Sequence, residues 1–134
     1  MEVCCDPQKL LRNERYKQAY EACVAPAELV EAFRRVSEPT TLLIVLGFWC
    51  PDSLRLVPCT TKAFAEAANA NLQIIGVSVP HEETEQMPVH VGPFEIRKFP
   101  TFILLRGQHE QLATTAPDQE IVRFVEQPVD PSEM

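Results

Sequence analysis

The sequence predicts an α/β protein with a central mixed β-sheet of four or five strands flanked by helices. Residues 42–47 and 72–79 are continuously apolar, which is typical of strands covered on both faces. Residues 51–69 between them carry apolar side chains at helical spacing, so the three segments form a β–α–β unit with two parallel strands. Residues 101–105 and 111–115 flank Gly107 and predict an antiparallel hairpin.

Two helices are predicted before the first strand. Asp6-Pro7 is a favourable helix start, because Asp caps the helix and Pro presets its first turn. We predict that residues 1–24 form an N-terminal helical extension packed on the same domain, which itself spans 25–127. Pro26 opens the second helix, whose apolar side chains repeat at helical spacing and predict one face packed on the sheet.

The rest of the chain alternates between loop and regular structure. Residues 80–92 are polar and rich in proline, which predicts a loop with at most a short helix. Asp118 is predicted to cap a last helix with an apolar face. The segment 128–134 is predicted to be a flexible tail.

Composition limits the class of protein. The chain has 134 residues, is 46% hydrophobic and carries a formal net charge of −7, which fits one acidic domain and argues against binding to nucleic acid. No apolar segment approaches the roughly 20 residues needed to cross a membrane. The first 30 residues contain scattered charges and no apolar signal segment, so we predict a cytoplasmic protein whose five cysteines are mostly reduced. The composition leaves the oligomeric state open.

The motif Trp49-Cys50-Pro51-Asp52-Ser53 carries the predicted chemistry. Cys50 follows a buried strand and begins a helix, where unpaired N–H groups and the helix dipole stabilise a thiolate. We therefore predict that Cys50 is a catalytic nucleophile and that Ser53, one turn later, donates a hydrogen bond to its sulfur. Asp52 opposes the thiolate by charge repulsion. Ordinary helix capping is the alternative role for Asp52 and Ser53.

From residue 25 to residue 127 the chain resembles the thioredoxin family. The motif above, Pro58 within the following helix, and the stretch Phe94-Glu95-Ile96-Arg97-Lys98-Phe99-Pro100-Thr101 occur in the family's order. The resemblance implies a thioredoxin fold and thiol–disulfide exchange, with Pro100 in the cis form facing Cys50. It also implies a substrate groove formed by Trp49, Pro51, Asp52, Phe99 and Pro100.

The chain departs from the family pattern at three positions. Ser53 stands where thioredoxins carry the second cysteine of a Cys-x-x-Cys site, so the predicted site is monothiol. Ile44 replaces the buried aspartate that assists that second cysteine. Phe99 is bulkier than the usual residue before the cis-proline, which predicts a narrower groove or an aromatic platform, with extra core packing as the alternative.

The other cysteines are candidates for resolving a disulfide at Cys50. Cys59 lies nine residues further along one helix, roughly 13 Å away, whereas a disulfide needs Cα atoms within about 7 Å. Cys4, Cys5 and Cys23 are possible resolving cysteines if the N-terminal segment folds across the site. The alternatives are no role for Cys4-Cys5 and a small apolar contact for Cys23.

Two functions remain from the sequence. One is a monothiol oxidoreductase that exchanges protein or low-molecular-weight disulfides, with glutathione as a possible partner. The other is a non-catalytic interaction module or redox sensor that binds extended peptides beside Trp49 and Pro100. No cofactor and no metal are predicted, because His81, His90 and His109 lack the spacing of a metal site; His81 or His90 as a base near Cys50 is a minor alternative.

Overall fold

A computed structural model describes residues 1–126. The predicted flexible tail, 128–134, lies outside the described residues. The strands are β1 Glu2–Cys4, β2 Thr40–Leu46, β3 Leu72–Ser78, β4 Val89–Val91, β5 Phe94–Ile96, β6 Thr101–Arg106 and β7 His109–Thr114. The α-helices are α1 Glu14–Ala22, α2 Ala27–Arg34, α3 Pro51–Ala67 and α4 Pro117–Glu126, with 3₁₀ helices at Pro7–Arg12 and His81–Glu85.

The central sheet has the strand order β1-β3-β2-β6-β7. β2 and β3 are parallel, and the other neighbours are antiparallel. This five-stranded mixed sheet flanked by helices confirms the predicted fold class. None of the described helices has the length and hydropathy needed to cross a bilayer.

The middle strand β2 is covered on both faces, as its continuous apolar sequence predicts. Leu42, Ile44 and Leu46 belong to one core cluster with α1, α2 and α3, whereas Leu43 and Val45 belong to a second cluster on the other face. Neighbouring side chains of a strand point to opposite faces, so a strand between two cores must be apolar at every position. β2 therefore anchors the segment that leads to Cys50.

The N-terminal segment departs from the prediction of a purely helical extension. β1 pairs with β3 in the register Glu2↔Ser78 to Cys4↔Gly76 and forms one edge of the sheet. β1 has only three residues, Glu2-Val3-Cys4, which are too few to show a periodicity, so the sequence did not reveal this strand. Residues 1–24 are thus a structural part of the domain's sheet as well as of its helical layer.

The predicted loop 80–92 is also more regular than expected. It contains a 3₁₀ helix and β4, which pairs with β5 across the turn at Gly92-Pro93. Gly92 has a φ of +56°, a conformation that glycine adopts without steric cost. Val89 and Ile96 of this hairpin are buried in the second core cluster. The alternating residues on either side of Gly92-Pro93 were the signal that the prolines obscured.

A disulfide between Cys23 and Cys59 joins the end of α1 to α3, with the two Cα atoms 5.7 Å apart. The prediction that Cys23 is a small apolar contact or a resolving cysteine is therefore wrong, and two of the five cysteines are not reduced. Nearby, the Lys62 ammonium donates hydrogen bonds to the carbonyls of Tyr20 at 2.9 Å and Cys23 at 2.6 Å. These contacts add a second link between the end of α1 and α3, and the Tyr20 carbonyl also accepts from the Cys23 N–H at 3.3 Å.

Candidate functional site

Cys50 occupies the N-cap of the 17-residue helix α3, directly after the turn that follows β2. Its N–H donates to the Gly47 carbonyl at 3.0 Å, and its carbonyl accepts from the Leu54 N–H at 3.1 Å. The Pro51 ring at the first helical position suits this helix start. The thiol is partly buried and donates to the carbonyl of Phe99 at 3.5 Å. The backbone thus holds the sulfur at the helix end and against the Phe99-Pro100 segment.

The peptide bond between Phe99 and Pro100 is cis, as the resemblance implies. Pro100 is buried and Phe99 is partly buried at the start of β6. The Phe99 ring meets the Trp49 ring edge-on, with centroids 5.4 Å apart, and also packs against the second core cluster. Phe99 therefore combines the two roles weighed from the sequence, an aromatic wall beside the thiol and a core contact.

Trp49 is held on several sides while 37% of it remains exposed. Its Nε1–H donates to the Val79 carbonyl at 2.7 Å, and its ring meets His81 edge-on at 4.9 Å. The indole lies directly on Gly47, where a Cβ atom would approach the ring to 2.5 Å. Glycine at position 47 is therefore required for this placement of the indole next to Cys50.

Ser53 is fully buried, and its hydroxyl oxygen accepts a hydrogen bond from the Gly47 N–H at 3.1 Å. The expected donation from Ser53 to the Cys50 sulfur is not among the hydrogen bonds of the described residues. Ser53 instead fastens the first turn of α3 to the turn before Cys50. Asp52 is exposed and faces Arg55 at 3.3 Å, which offsets its charge near the thiol.

The structure brings none of the three candidate resolving cysteines to Cys50. Cys23 is bonded to Cys59, which by the geometry of α3 cannot reach Cys50. Cys4 is level with Ile44 in the sheet but lies on β1, two strand spacings or roughly 10 Å from β2. The Cys4 thiol donates to the Asp6 carbonyl at 2.8 Å, and the neighbouring Cys5 is exposed.

The remaining charged and histidine residues form no metal site among residues 1–126. His81 packs on Trp49, and His90 on β4 lies 3.9 Å from Glu95. Ile44, at the position of the family's buried aspartate, is fully buried in the apolar core. Within the described chain, the site at Cys50 therefore consists of one thiol, aromatic rings and backbone carbonyls.

Two neighbouring cavities lie on the side of Trp49 where the end of β3 meets the N-terminal segment. The first, the Trp49 cavity, has a volume of about 520 Å³. The second, the β1 cavity, has a volume of about 270 Å³. They share Asn13, Phe48 and Ser78 in their walls. These cavities were not predictable from the sequence, because residues 2–15 and 78–82 meet only in the folded chain.

A fold with one parallel strand pair at its centre, a cysteine capping the helix that follows, and a cis-proline against that cysteine defines a thioredoxin-type redox domain. The family model described as thioredoxin matches residues 4–129, and the chain therefore belongs to the thioredoxin family. The match begins at Cys4, the last residue of β1, and includes the helices before residue 25 as well as the segment 25–127, where the motifs resemble the family. No curated relative and no solved structure matches the chain.

Proposed function

We propose that this chain is a monothiol thiol–disulfide oxidoreductase with Cys50 as its nucleophile. The observation that carries the proposal is the placement of the Cys50 thiol at the N-terminus of α3, against the carbonyl before cis-Pro100. The helix end stabilises a thiolate, and thiol–disulfide exchange proceeds through the thiolate. The fully buried Ser53 occupies the place from which a second sulfur would attack.

The reaction consists of two exchanges. The Cys50 thiolate attacks one sulfur of a protein or low-molecular-weight disulfide, forms a mixed disulfide, and releases the other sulfur as a thiolate. An external thiolate, such as that of glutathione, then attacks the substrate sulfur of the mixed disulfide. Cys50 leaves as the thiolate, and the external thiol is now joined to the substrate in a new disulfide. No net reduction occurs, which suits isomerisation or exchange of glutathione.

The surrounding residues position the substrate. Trp49 and Phe99 form an aromatic corner beside the thiol, and the backbone at Phe99-Pro100 offers polar groups to an extended chain. Pro51 and Asp52 are exposed on the first turn of α3, next to Cys50 in the chain. In the proposed function these residues border a groove that binds one extended segment with its disulfide at Cys50.

The competing function is a non-catalytic peptide-binding module or redox sensor. It is favoured by Ser53, whose hydroxyl is used for a structural hydrogen bond and not for the sulfur. In that function the groove beside Trp49 binds an extended peptide, and Cys50 lies in the wall of the groove without catalysing a reaction.

The first test measures exchange between a dye-labelled glutathione disulfide and reduced glutathione. We expect wild type to accelerate the exchange and Cys50→Ser to abolish the acceleration. Cys5→Ser keeps the rate, because Cys5, an exposed residue after the edge strand β1, has no part in the proposed cycle. No acceleration by wild type, or full activity in Cys50→Ser, contradicts the proposal and favours the binding module.

The second test adds a resolving sulfur. Ser53→Cys places a thiol one helical turn from Cys50, and we expect it to gain reduction of protein disulfides when a dithiol reductant is supplied. The matched control is the double variant Cys50→Ser with Ser53→Cys, which has the new thiol but no nucleophile. Far-ultraviolet circular dichroism measures whether Ser53→Cys folds. If the folded variant does not reduce protein disulfides, the site does not support thiol–disulfide exchange.

We propose a cytoplasmic location, although the Cys23–Cys59 disulfide is of a kind that is rare in the cytoplasm. Disulfides persist mainly in oxidising compartments, whereas catalytic cysteines occur on both sides of a membrane. Mass spectrometry of the protein alkylated in intact cells, without added reductant, measures whether Cys23 and Cys59 are bonded where the protein resides. Fully alkylated Cys23 and Cys59 would support the cytoplasmic proposal.

A further inference from the structure

The Trp49 cavity and the β1 cavity form a continuous surface beside the catalytic motif. The Trp49 cavity, at about 520 Å³, lies within the range of small-molecule sites. Its walls come from three parts of the chain: the cap of α1, the Phe48-Trp49 pair before Cys50, and the segment after β3. A ligand held there contacts Trp49, the residue adjacent to the proposed nucleophile.

Three cations line the two cavities. Arg15 lines the Trp49 cavity, and Lys9 and Arg12 line the β1 cavity together with Glu2. The ion pairs found among the described residues include none of these three cations. The two cavities together are lined by these three cations and by two carboxylates, Glu2 and Glu82. In a chain of net charge −7, this excess of positive charge favours a ligand that carries more negative than positive groups.

The Trp49 cavity also has a negative group and aromatic surface. Glu82 lines it from the 3₁₀ helix after β3, next to His81. Phe48 and Trp49 add apolar rings to the lining. A ligand that fits carries carboxylates for the arginines, one ammonium for Glu82, and a short flexible body between them.

We propose that the Trp49 and β1 cavities bind the amino-acid ends of a small, net-anionic thiol or its disulfide, a peptide-like molecule with carboxylates and one ammonium. Arg15 and Arg12 pair with the carboxylates, and Glu82 pairs with the ammonium. The assignment of a thiol rests on the proposed function, whereas recognition of the charged ends stands on the cavity itself. The surface thus selects the exchange partner of Cys50 by its charges.

The test uses S-methylglutathione, which has these charged ends but no free thiol and cannot exchange. Trp49 is the one tryptophan of the chain, so its fluorescence reports binding at the cavity. We expect a saturable fluorescence change in wild type, and an approximately tenfold weaker Kd in Arg15→Gln, since one charge-assisted hydrogen bond is lost. The diethyl ester of S-methylglutathione, with both carboxylates blocked, gives no saturable change.

Lys17→Gln is the matched control, because it removes the same charge from the same helix at a residue that does not line either cavity. We expect Lys17→Gln to bind S-methylglutathione as wild type does. No saturable change in wild type overturns the inference, and so does an equal weakening by Lys17→Gln, which would indicate a general effect of charge. The same proteins in the exchange assay separate the two proposals: binding without exchange contradicts the proposed function, and exchange without binding contradicts this site.

Discussion

At the scale of single residues, the placement of Trp49 depends on the absence of a side chain two positions earlier. The indole rests on Gly47 and is fixed by its hydrogen bond to Val79. Gly47 also accepts a hydrogen bond from the Cys50 N–H and donates one to the Ser53 hydroxyl. A change at Gly47 therefore reaches the aromatic wall and the thiol together.

Gly47→Ala is expected to displace the indole, because the new methyl group would lie 2.5 Å from ring atoms. The shift breaks the hydrogen bond to Val79 and lowers the free energy of unfolding by about 1–3 kcal/mol, the usual cost of overpacking. Trp49 fluorescence and urea denaturation measure the two effects.

Gly76→Ala is the matched control, since a Cβ atom there meets Leu10 at an ordinary 3.7 Å. We expect wild-type fluorescence from Gly76→Ala. Unchanged fluorescence in Gly47→Ala would contradict the close contact.

Tyr16 lies on α1, and its ionisation state affects the free energy of unfolding of the protein. It is fully buried, its hydroxyl is hydrogen-bonded to the hydroxyl of Thr61 on α3, and its ring packs edge-on against Phe48. Thr61 donates to the Pro58 carbonyl at 3.0 Å, which leaves Tyr16 as the donor to Thr61. Burial raises the pKa of Tyr16, because the charged phenolate would lose its contact with water.

This pKa shift predicts a loss of stability at alkaline pH. Above about pH 10 the unfolded chain releases the Tyr16 proton while the folded protein keeps it, so the folded state binds more protons. The free energy of unfolding from this group then falls with rising pH, by up to about 1.4 kcal/mol per pH unit. Tyr16→Phe is expected to lack this part of the slope when urea denaturation is measured from pH 8 to 11. Parallel curves for the two proteins would contradict it.

At the scale of elements, α1 and α3 are joined by more than apolar packing. The disulfide, the Lys62 ammonium on two carbonyls, and the Tyr16 hydroxyl all connect the two helices. α1 carries Arg15, and α3 carries Cys50 at its start. The disulfide therefore holds a wall of the Trp49 cavity to the helix that bears the thiol.

Removing this disulfide with Cys23→Ser and Cys59→Ser is expected to cost about 2–4 kcal/mol of unfolding free energy, because the unfolded chain regains the freedom of a closed loop. Urea denaturation without reductant measures the loss. The control is Cys4→Ser with Cys5→Ser, which also removes two sulfurs but no bond, and which should lose far less. Equal losses in the two double variants, or wild-type mass showing five alkylatable thiols, would contradict the disulfide.

The helices and strands were predictable from the sequence where their buried side chains recur at a regular spacing. β2, β3 and α3 have continuous or periodic apolar sequences, and the structure places them within one or two residues of the prediction. β1 has three residues, too few for a period to show, and β4 alternates but lies in a proline-rich segment that predicts a loop. Both strands form because a neighbouring strand offers hydrogen-bonding partners.

At the scale of the whole molecule, the N-terminal residues complete the domain. β1 extends the sheet at β3, and Leu10 and Tyr16 are buried in the same core cluster as α2 and α3. The family match from residue 4 covers this segment. The boundary predicted at residue 25 separates parts that share one core.

A chain shortened to residues 25–134 is therefore expected to lose cooperative folding, because it exposes the core face under Tyr16 and the edge of β3. A chain of residues 6–134 loses only β1 and should fold with a lower urea midpoint. Near-ultraviolet circular dichroism and urea titration measure both. The same midpoint in 25–134 and in the full chain would show instead that residues 1–24 are a separable extension.

The sequence by itself determined the central β–α–β unit, the position of Cys50 at a helix start, and the cis-proline segment expected beside it. These features are local, since an apolar period, a cap and a short motif are each written in consecutive residues. Only the tertiary structure decided the Cys23–Cys59 bond, the structural use of the Ser53 hydroxyl, and the charged cavities beside Trp49. Each depends on residues far apart in the chain, whose contact is set by how the helices and strand edges pack together.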